Sequence, residues 1–216
     1  DNYKLSQVLL MQIFDSIVGM TLAVILIVGG YQFYFLPQRK KILAPRELGT
    51  KFDEMIPFQP RWVWVYSGLY YPIIIFIVLT MNSLKQFAYT AFSYIILLGL
   101  QIIIFMLFPV KTPKHWRNYD PLESKSTRFL SFVHHFDDTT NCFPSMHVSV
   151  ATLTSLHIYT NCGQGLFVAI LASLFSILIA ISTLFTKQHY IIDIPAGVIL
   201  GYISFKIFIT LANNFI

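Results

Sequence analysis

Charge is what this sequence has least of. Only 12% of its 216 residues are Asp, Glu, Lys or Arg, while 56% are hydrophobic. A soluble domain carries about a quarter charged residues, so one membrane domain is the natural reading. Cysteine is nearly absent, with only Cys142 and Cys162. They bracket one apolar segment, which as a helix of about twenty residues holds them roughly 30 Å apart. A disulfide tolerates about 7 Å between Cα atoms, so two free thiols are expected and the redox compartment stays open. No Cys/His spacing reads as a zinc site, and there is no nucleic-acid motif. There is no Arg-rich transit segment and no signal-cleavage pattern. A start on Asp1 rather than Met reads as a trimmed or processed chain. The formal net charge of +5 suits anionic lipid headgroups, and equally ordinary membrane-flanking charge.

Long apolar runs are what the chain has instead. They fall at 17–36, 62–81, 86–108, 144–159, 166–185 and 190–211, against about twenty residues needed to cross roughly 30 Å of hydrocarbon. The expected fold is therefore all-α, an integral membrane bundle of six transmembrane helices in a single domain. Residues 1–16, with Lys4 and Asp15, read as an interfacial lead-in, and Pro37 and Pro109 as stops. Trp62, Trp64 and Tyr66 stand where an aromatic belt belongs, and Pro72 should kink the second span. Gly19, Gly29 and Gly30, and the pair Gly197 and Gly201, are candidate close-packing positions. The fourth run is rich in Ser and Thr, as suits a helix buried among other helices. The polar segment 110–142 is the longest, and a loop of that length reads as a lid. Counting crossings brings the ends of spans three and five and the starts of four and six to one membrane face.

Two stretches on that face carry chemistry. The first is Ser182 to Asp193. His189 and Asp193 are four apart, so on a helix they share a face. A carboxylate beside an imidazole fixes its tautomer and frees the other nitrogen to attack or take a proton. Thr183 and Lys187, also four apart, would add an ammonium. The bland reading is a polar helix start at the water interface. The second stretch is Phe143-Pro144-Ser145-Met146-His147. Proline suits a helix start, and the amides of that first turn form an anion site.

Together the two stretches resemble the type-2 phosphatidic acid phosphatase superfamily. Its signature is a Lys/Arg motif, then Pro-Ser-Gly-His, then Ser-Arg-x5-His-x3-Asp. Ser182 to Asp193 keeps the last spacing, and Pro144 to His147 keeps three residues of four. The resemblance implies that His189 is a nucleophile forming a phosphohistidine, that Asp193 orients it and that His147 protonates the leaving oxygen. Ser145, amides near Met146, and Ser182 would bind phosphate, with positive charge from Lys187 and from Lys111, Lys114 and Arg117. No metal and no cofactor is implied. Three positions depart from the pattern. Thr183 stands for the family Arg, with Lys187 expected one turn on along the same helix face. Lys111 and Arg117 are separated by five residues rather than six, Asn118 replaces Pro, and Pro113-Lys114 is an alternative match. Met146 replaces Gly. Asp53, Ile56 to Pro60, and Tyr70-Tyr71-Pro72 look like the branch that includes inositol-phosphorylceramide-synthase-like proteins.

The expected function is hydrolysis of a lipid phosphate monoester or diphosphate, with membrane lipids as the only other partner and no nucleic acid. The alternative is a lipid headgroup phosphotransferase with the same intermediate; a third reading is a transporter or scaffold. The lipid and the oligomeric state stay open. Lys and Arg cluster on the chemical side, which the positive-inside rule places in the cytoplasm. Most bacterial family members have the site outside, and that orientation is adopted, in a bacterial inner membrane. His134-His135 with Asp137-Asp138 reads as a divalent-ion site or a solvated lid, and His157 as an interior residue. His115 and Trp116 read as lipid-head contacts or interface residues.

Overall fold

The computed structural model describes residues 2–39, 43–137 and 139–215, with side chains for 7–39, 43–137 and 139–213. Asp138 and the Lys4 side chain lie outside the described residues. Among these residues the regular structure is helical, and the one β-type contact is an isolated parallel bridge between Arg46 and Val110.

Helix α1 (Asn2–Tyr34) has 33 residues, about 50 Å at the α-helical rise. The expected lead-in is thus not a separate segment but the same helix. Its outer face is apolar, with Leu10, Met11 and Phe14 exposed, as a lipid-facing surface requires. Helix α2 (Leu36–Arg39) follows almost at once. Pro37 lies in its first turn, where a missing N–H costs little. Helix α3 (Lys51–Met55) is capped by Thr50, whose N–H donates to Asp53 Oδ2 at 2.7 Å.

The second crossing changes helix type along its length. A 3-10 turn (Pro60–Trp62) leads to a π-helix (Trp64–Leu69), then α4 (Tyr70–Phe76), then a second 3-10 turn (Ile77–Thr80). Pro72 has no N–H and its ring crowds the carbonyl four residues back. The wide π turn ends just before it, at Leu69, where such a break in the hydrogen-bond ladder is readily absorbed. Helix α5 (Leu84–Leu107) starts at Ser83, whose Oγ accepts from Gln86 N at 3.2 Å.

The lid is folded. It contains a 3-10 turn (Lys114–Arg117) and helix α6 (Lys125–Phe136), whose N-cap Ser124 Oγ accepts from Thr127 N at 3.1 Å. Leu130 is buried beneath it. Trp64 holds it to the second crossing, donating from Nε1 to Ser126 Oγ at 3.1 Å and packing on Phe129.

Three helices complete the chain: α7 (Met146–Asn161), α8 (Leu166–Phe185) and α9 (Asp193–Phe215). Helix α7 packs chiefly against α8 and α9, and ten of its 16 residues are buried. Several of its hydroxyls bond inside the bundle, as with Ser155 Oγ to Ala172 O at 2.6 Å, which fits the expected buried, polar helix. The Gly197–Gly201 pair is also as expected. A Cβ at Gly197 would lie 2.8 Å from Ser145 O, and one at Gly201 would lie 2.5 Å from Ser149 O. Gly19 meets Val78 as closely, at 2.7 Å, whereas Gly29 has nothing within 4 Å.

Among the described residues, five segments are long and apolar enough to cross a membrane: Gln7–Arg39, Pro60–Thr80, Leu84–Leu107, Leu166–Phe185 and Asp193–Asn213. They fit a multi-pass membrane protein. The fourth expected crossing, α7, has 16 residues, about 24 Å, and stands apart from these five.

Candidate active site

His189 lies in the turn between α8 and α9. Helix α8 ends at Phe185, and Lys187 takes a left-handed conformation at φ 57° that turns the chain. Asp193 is the first residue of α9. The His-x3-Asp spacing therefore works through a turn, not along a helix face as the sequence reading assumed. Asp193 Oδ2 accepts the Tyr190 N–H at 2.8 Å and lies 3.1 Å from His189 Nδ1. The same Nδ1 lies 2.8 Å from the Cys142 carbonyl. Two acceptors face one nitrogen, so the proton of the neutral imidazole belongs on Nδ1. The lone pair is then on Nε2.

Cys142 is a residue the sequence reading gave no role at the site. Its buried Sγ donates to Asp193 Oδ2 at 2.9 Å. Both cysteines are free, as expected. Burial, and then the Asp193 charge, push the Cys142 thiol well above its ordinary pKa. The only signal in the sequence was position, two residues ahead of Pro144.

Ser145 caps α7, its Oγ accepting from Val148 N at 3.4 Å. Its own N–H donates to Asp193 O at 3.2 Å, which ties the start of α7 to the start of α9. His147 follows one residue into α7, with its ring 6.4 Å from that of His189. Tyr66 stacks on its other side at 4.1 Å, with its hydroxyl 3.2 Å from Nδ1, and Tyr70 lies at 4.7 Å. Tyr66 belongs to the π-helix, a form frequent at functional sites. The Met146 side chain packs against the core cluster that contains Tyr70, Leu97 and Val150. Ser182 is fully buried, and its Oγ donates to Ile179 O at 2.7 Å.

Lys187 is not on the helix face of Thr183. Its Nζ donates to the Asp53 carbonyl at 2.6 Å and lies 4.7 Å from the centre of the Trp116 ring. Burial lowers its pKa, opposed by the charges of Glu54 and Asp53. Asp53 thereby becomes part of the site's frame. Its Oδ1 accepts the Ile191 N–H at 2.7 Å, while Oδ2 takes both Thr50 donors. Burial pushes this carboxyl up, but the bonds from Thr50 and Ile191 and the Lys187 charge outweigh it, leaving it below the ordinary value.

The three lid cations separate. Lys111 pairs with Glu47 at 3.2 Å, and Lys114 is exposed. Arg117 Nη1 donates to Asp137 O at 2.7 Å. Its charge also acts on Tyr66, Tyr119 and His134. Asp137 Oδ1 accepts from Tyr34 and Gln38, both at 3.2 Å. His134 is not a solvated lid residue. Its Nδ1 lies 2.9 Å from the Tyr119 hydroxyl, and its Nε2 contacts the amide nitrogen of Gln188, next to His189. Burial, with Arg117 adding to it, lowers its pKa to about 3. His157 is an interior residue as expected, 2.7 Å from Ser93 Oγ. His115 and Trp116 hold Glu54 of α3 at 3.3 and 3.0 Å.

Two imidazoles from different elements thus face each other, one oriented by a carboxylate and a carbonyl, the other stacked on tyrosine. The family model described as the PAP2 superfamily matches residues 48–207, a range that holds Ser145, His147, Ser182, Lys187, His189 and Asp193. No curated protein and no solved structure matches the chain.

Proposed function

The chain belongs to the PAP2 superfamily, and we propose that it is a multi-pass membrane phosphatase that hydrolyses a lipid phosphomonoester or diphosphate through a phosphohistidine. The arrangement at His189 carries this reading: Nδ1 faces Asp193 Oδ2 at 3.1 Å and Cys142 O at 2.8 Å, with the His147 ring 6.4 Å away. Nε2 of His189 attacks phosphorus, and the bond to the lipid oxygen breaks. Protonated His147 gives its proton to that oxygen. The Asp193 carboxylate stabilises the positive charge left on the His189 ring. A water then attacks phosphorus, His147 takes its proton, and the P–N bond breaks to release phosphate.

Ser145, the amides at the start of α7, Ser182 and Lys187 complete the phosphate surroundings in this reading, and Arg117 supplies charge to the transition state. Lys111 and Lys114 sit further out on the lid. The scheme uses no metal and no cofactor. Helix α7 is a sixth membrane crossing, fourth in chain order, residues 110–142 cover the site, and the site opens to the extracytoplasmic face.

The test is phosphate release from a panel of lipid phosphates in detergent, comparing wild type, His189→Ala and His147→Ala, with vanadate and with chelator. The expected result is release that vanadate inhibits, that chelator does not abolish and that both variants lose. Unchanged release by His189→Ala would overturn the reading.

Burial favours a second reading. His189 and His147 are only 6% and 8% exposed, so an acceptor that arrives with the substrate can outcompete bulk water. A lipid alcohol would then take the phosphoryl group. Transfer of labelled phosphate to added lipid alcohol, in place of release, identifies that activity.

A further inference from the structure

We propose that Cys142, His189 and Asp193 form an inhibitory binding site for a thiophilic divalent cation of the zinc or cadmium type. The inhibition rests on the phosphohistidine reading; the binding does not.

Three kinds of donor atom converge in the buried pocket. Cys142 Sγ lies 2.9 Å from Asp193 Oδ2 and 3.6 Å from His189 Nδ1, and Nδ1 lies 3.1 Å from Oδ2. All three groups are buried, and their donor atoms lie within 4.8 Å of one another. Zinc binds sulfur at about 2.3 Å and nitrogen or oxygen at about 2.0–2.2 Å in a tetrahedron, which sets ligand atoms about 3.3–3.6 Å apart. The sulfur–nitrogen separation already fits. The other two separations need to widen, Sγ–Oδ2 the more, by about 0.7 Å. A further oxygen is at hand, because Asp193 Oδ1 is buried and has no hydrogen-bond partner among the described residues.

The charge balance also fits. A thiolate and a carboxylate neutralise a divalent ion, so the filled site adds no net charge to a buried region. The protons account for the inhibition. In the free protein the Cys142 S–H points at Asp193 and the imidazole proton sits on Nδ1. An ion taking both places releases the thiol proton to solvent. It also moves the imidazole proton from Nδ1 to Nε2. One proton leaves per ion bound, and the Nε2 lone pair that would attack phosphorus is gone. The cation blocks the nucleophile through the nitrogen on its far side, without occupying the phosphate position.

The second thiol serves as the control. Cys162 is the C-cap of α7, at the opposite end of that helix, and is exposed. The experiment uses the full chain in detergent with Cys162→Ala. Cadmium is titrated while the ultraviolet thiolate-to-cadmium charge-transfer band is followed. Phosphate release is measured in parallel, each protein against its own metal-free rate. The expected result is a band that saturates at one cadmium per chain, with inhibition following the same titration and reversed by chelator. Cys142→Ser keeps a hydrogen-bond donor beside Asp193 and removes the soft ligand. It should lose the band and weaken inhibition by more than about 100-fold. No saturable band would overturn the proposal, and so would equal inhibition of Cys142→Ser. A saturating band in a preparation that releases no phosphate would support the cation site and count against the hydrolase reading instead.

Discussion

Tyr66 and His147 stack with ring centroids 4.1 Å apart, and the Tyr66 hydroxyl lies 3.2 Å from Nδ1 of the imidazole. The contact crosses from the π-helix of the second crossing to the start of α7. It fixes the ring plane and occupies one nitrogen, so the other is the one available to substrate. Tyr66→Phe keeps the stack and removes the hydroxyl. Loss of one hydrogen bond, about 1 kcal/mol, should lower kcat about fivefold with KM little changed. Steady-state phosphate release on both proteins checks it; a rise in KM with unchanged kcat would contradict the positioning role.

Asp53 should matter as much to the site as residues that touch substrate. Asp53→Asn presents an amide donor to Thr50 or Ile191, each of which is itself a donor. The expected cost is about 1–3 kcal/mol, visible as a lower thermal midpoint and reduced activity. The acid dependence follows from the carboxyl's lowered pKa. The folded state holds fewer protons than the unfolded state near and below the ordinary carboxylate value. Its stabilisation is thus complete above that value and lost as pH falls through the folded pKa. Thermal midpoints measured from pH 7 downward should show a shallower acid loss in Asp53→Asn.

His134 fastens α6 to Gln188 in its neutral form. Its pKa is lowered to about 3 from an ordinary 6.5, so opening the lid takes up a proton. The docked lid is fully favoured above pH 6.5 and is progressively lost between there and pH 3, by up to about tenfold per pH unit. Hydrogen exchange of the α6 amides, corrected for intrinsic rates, should accelerate over that range. In His134→Gln it should not.

The lid cations should rank by position. Arg117→Ala should reduce kcat/KM by about 100-fold, the scale of losing one transition-state charge partner. Lys114→Ala, at an exposed position, should change it less than about threefold, as for a screened surface charge. Equal losses in the two variants would mean that the lid rearranges when substrate binds.

Two glycines should respond oppositely to the same substitution. Gly201→Ala places a Cβ 2.5 Å from the Ser149 carbonyl, and forcing α7 and α9 apart costs about 1–3 kcal/mol. Gly29→Ala meets nothing within 4 Å and gains helix propensity, worth up to about 1 kcal/mol. Thermal unfolding in one detergent should show a drop for the first and no drop for the second.

What the sequence revealed and what it hid divide along physical lines. Apolar runs locate α1, α5, α8 and α9 because burial in lipid imposes composition on a whole segment. The two histidine stretches were legible because they hold particular residues at the short spacing the family pattern requires. The His189–Asp193 contact was expected, but on the wrong scaffold, since a spacing of four suits a helix and this turn alike. Asp53 and Cys142 were not legible as site residues. They act through hydrogen bonds to a distant segment, and a pairing such as Asp53 with Ile191 has no periodicity. Lys187 misled because its helix was assumed to continue, whereas a left-handed residue ends it.

The bond from Ser145 N to Asp193 O joins the first turns of two helices that leave the ribosome well apart. His147 and the cap of α7 are made first, but the partner that holds them arrives only with α9. A nascent chain lacking α9 has neither Asp193 nor the close Gly197 contact, so the proposed mechanism predicts no activity from it however many earlier segments have inserted. If the proposed phosphohistidine chemistry holds, activity waits on the insertion of α9, and the earlier helices cannot act on lipid alone.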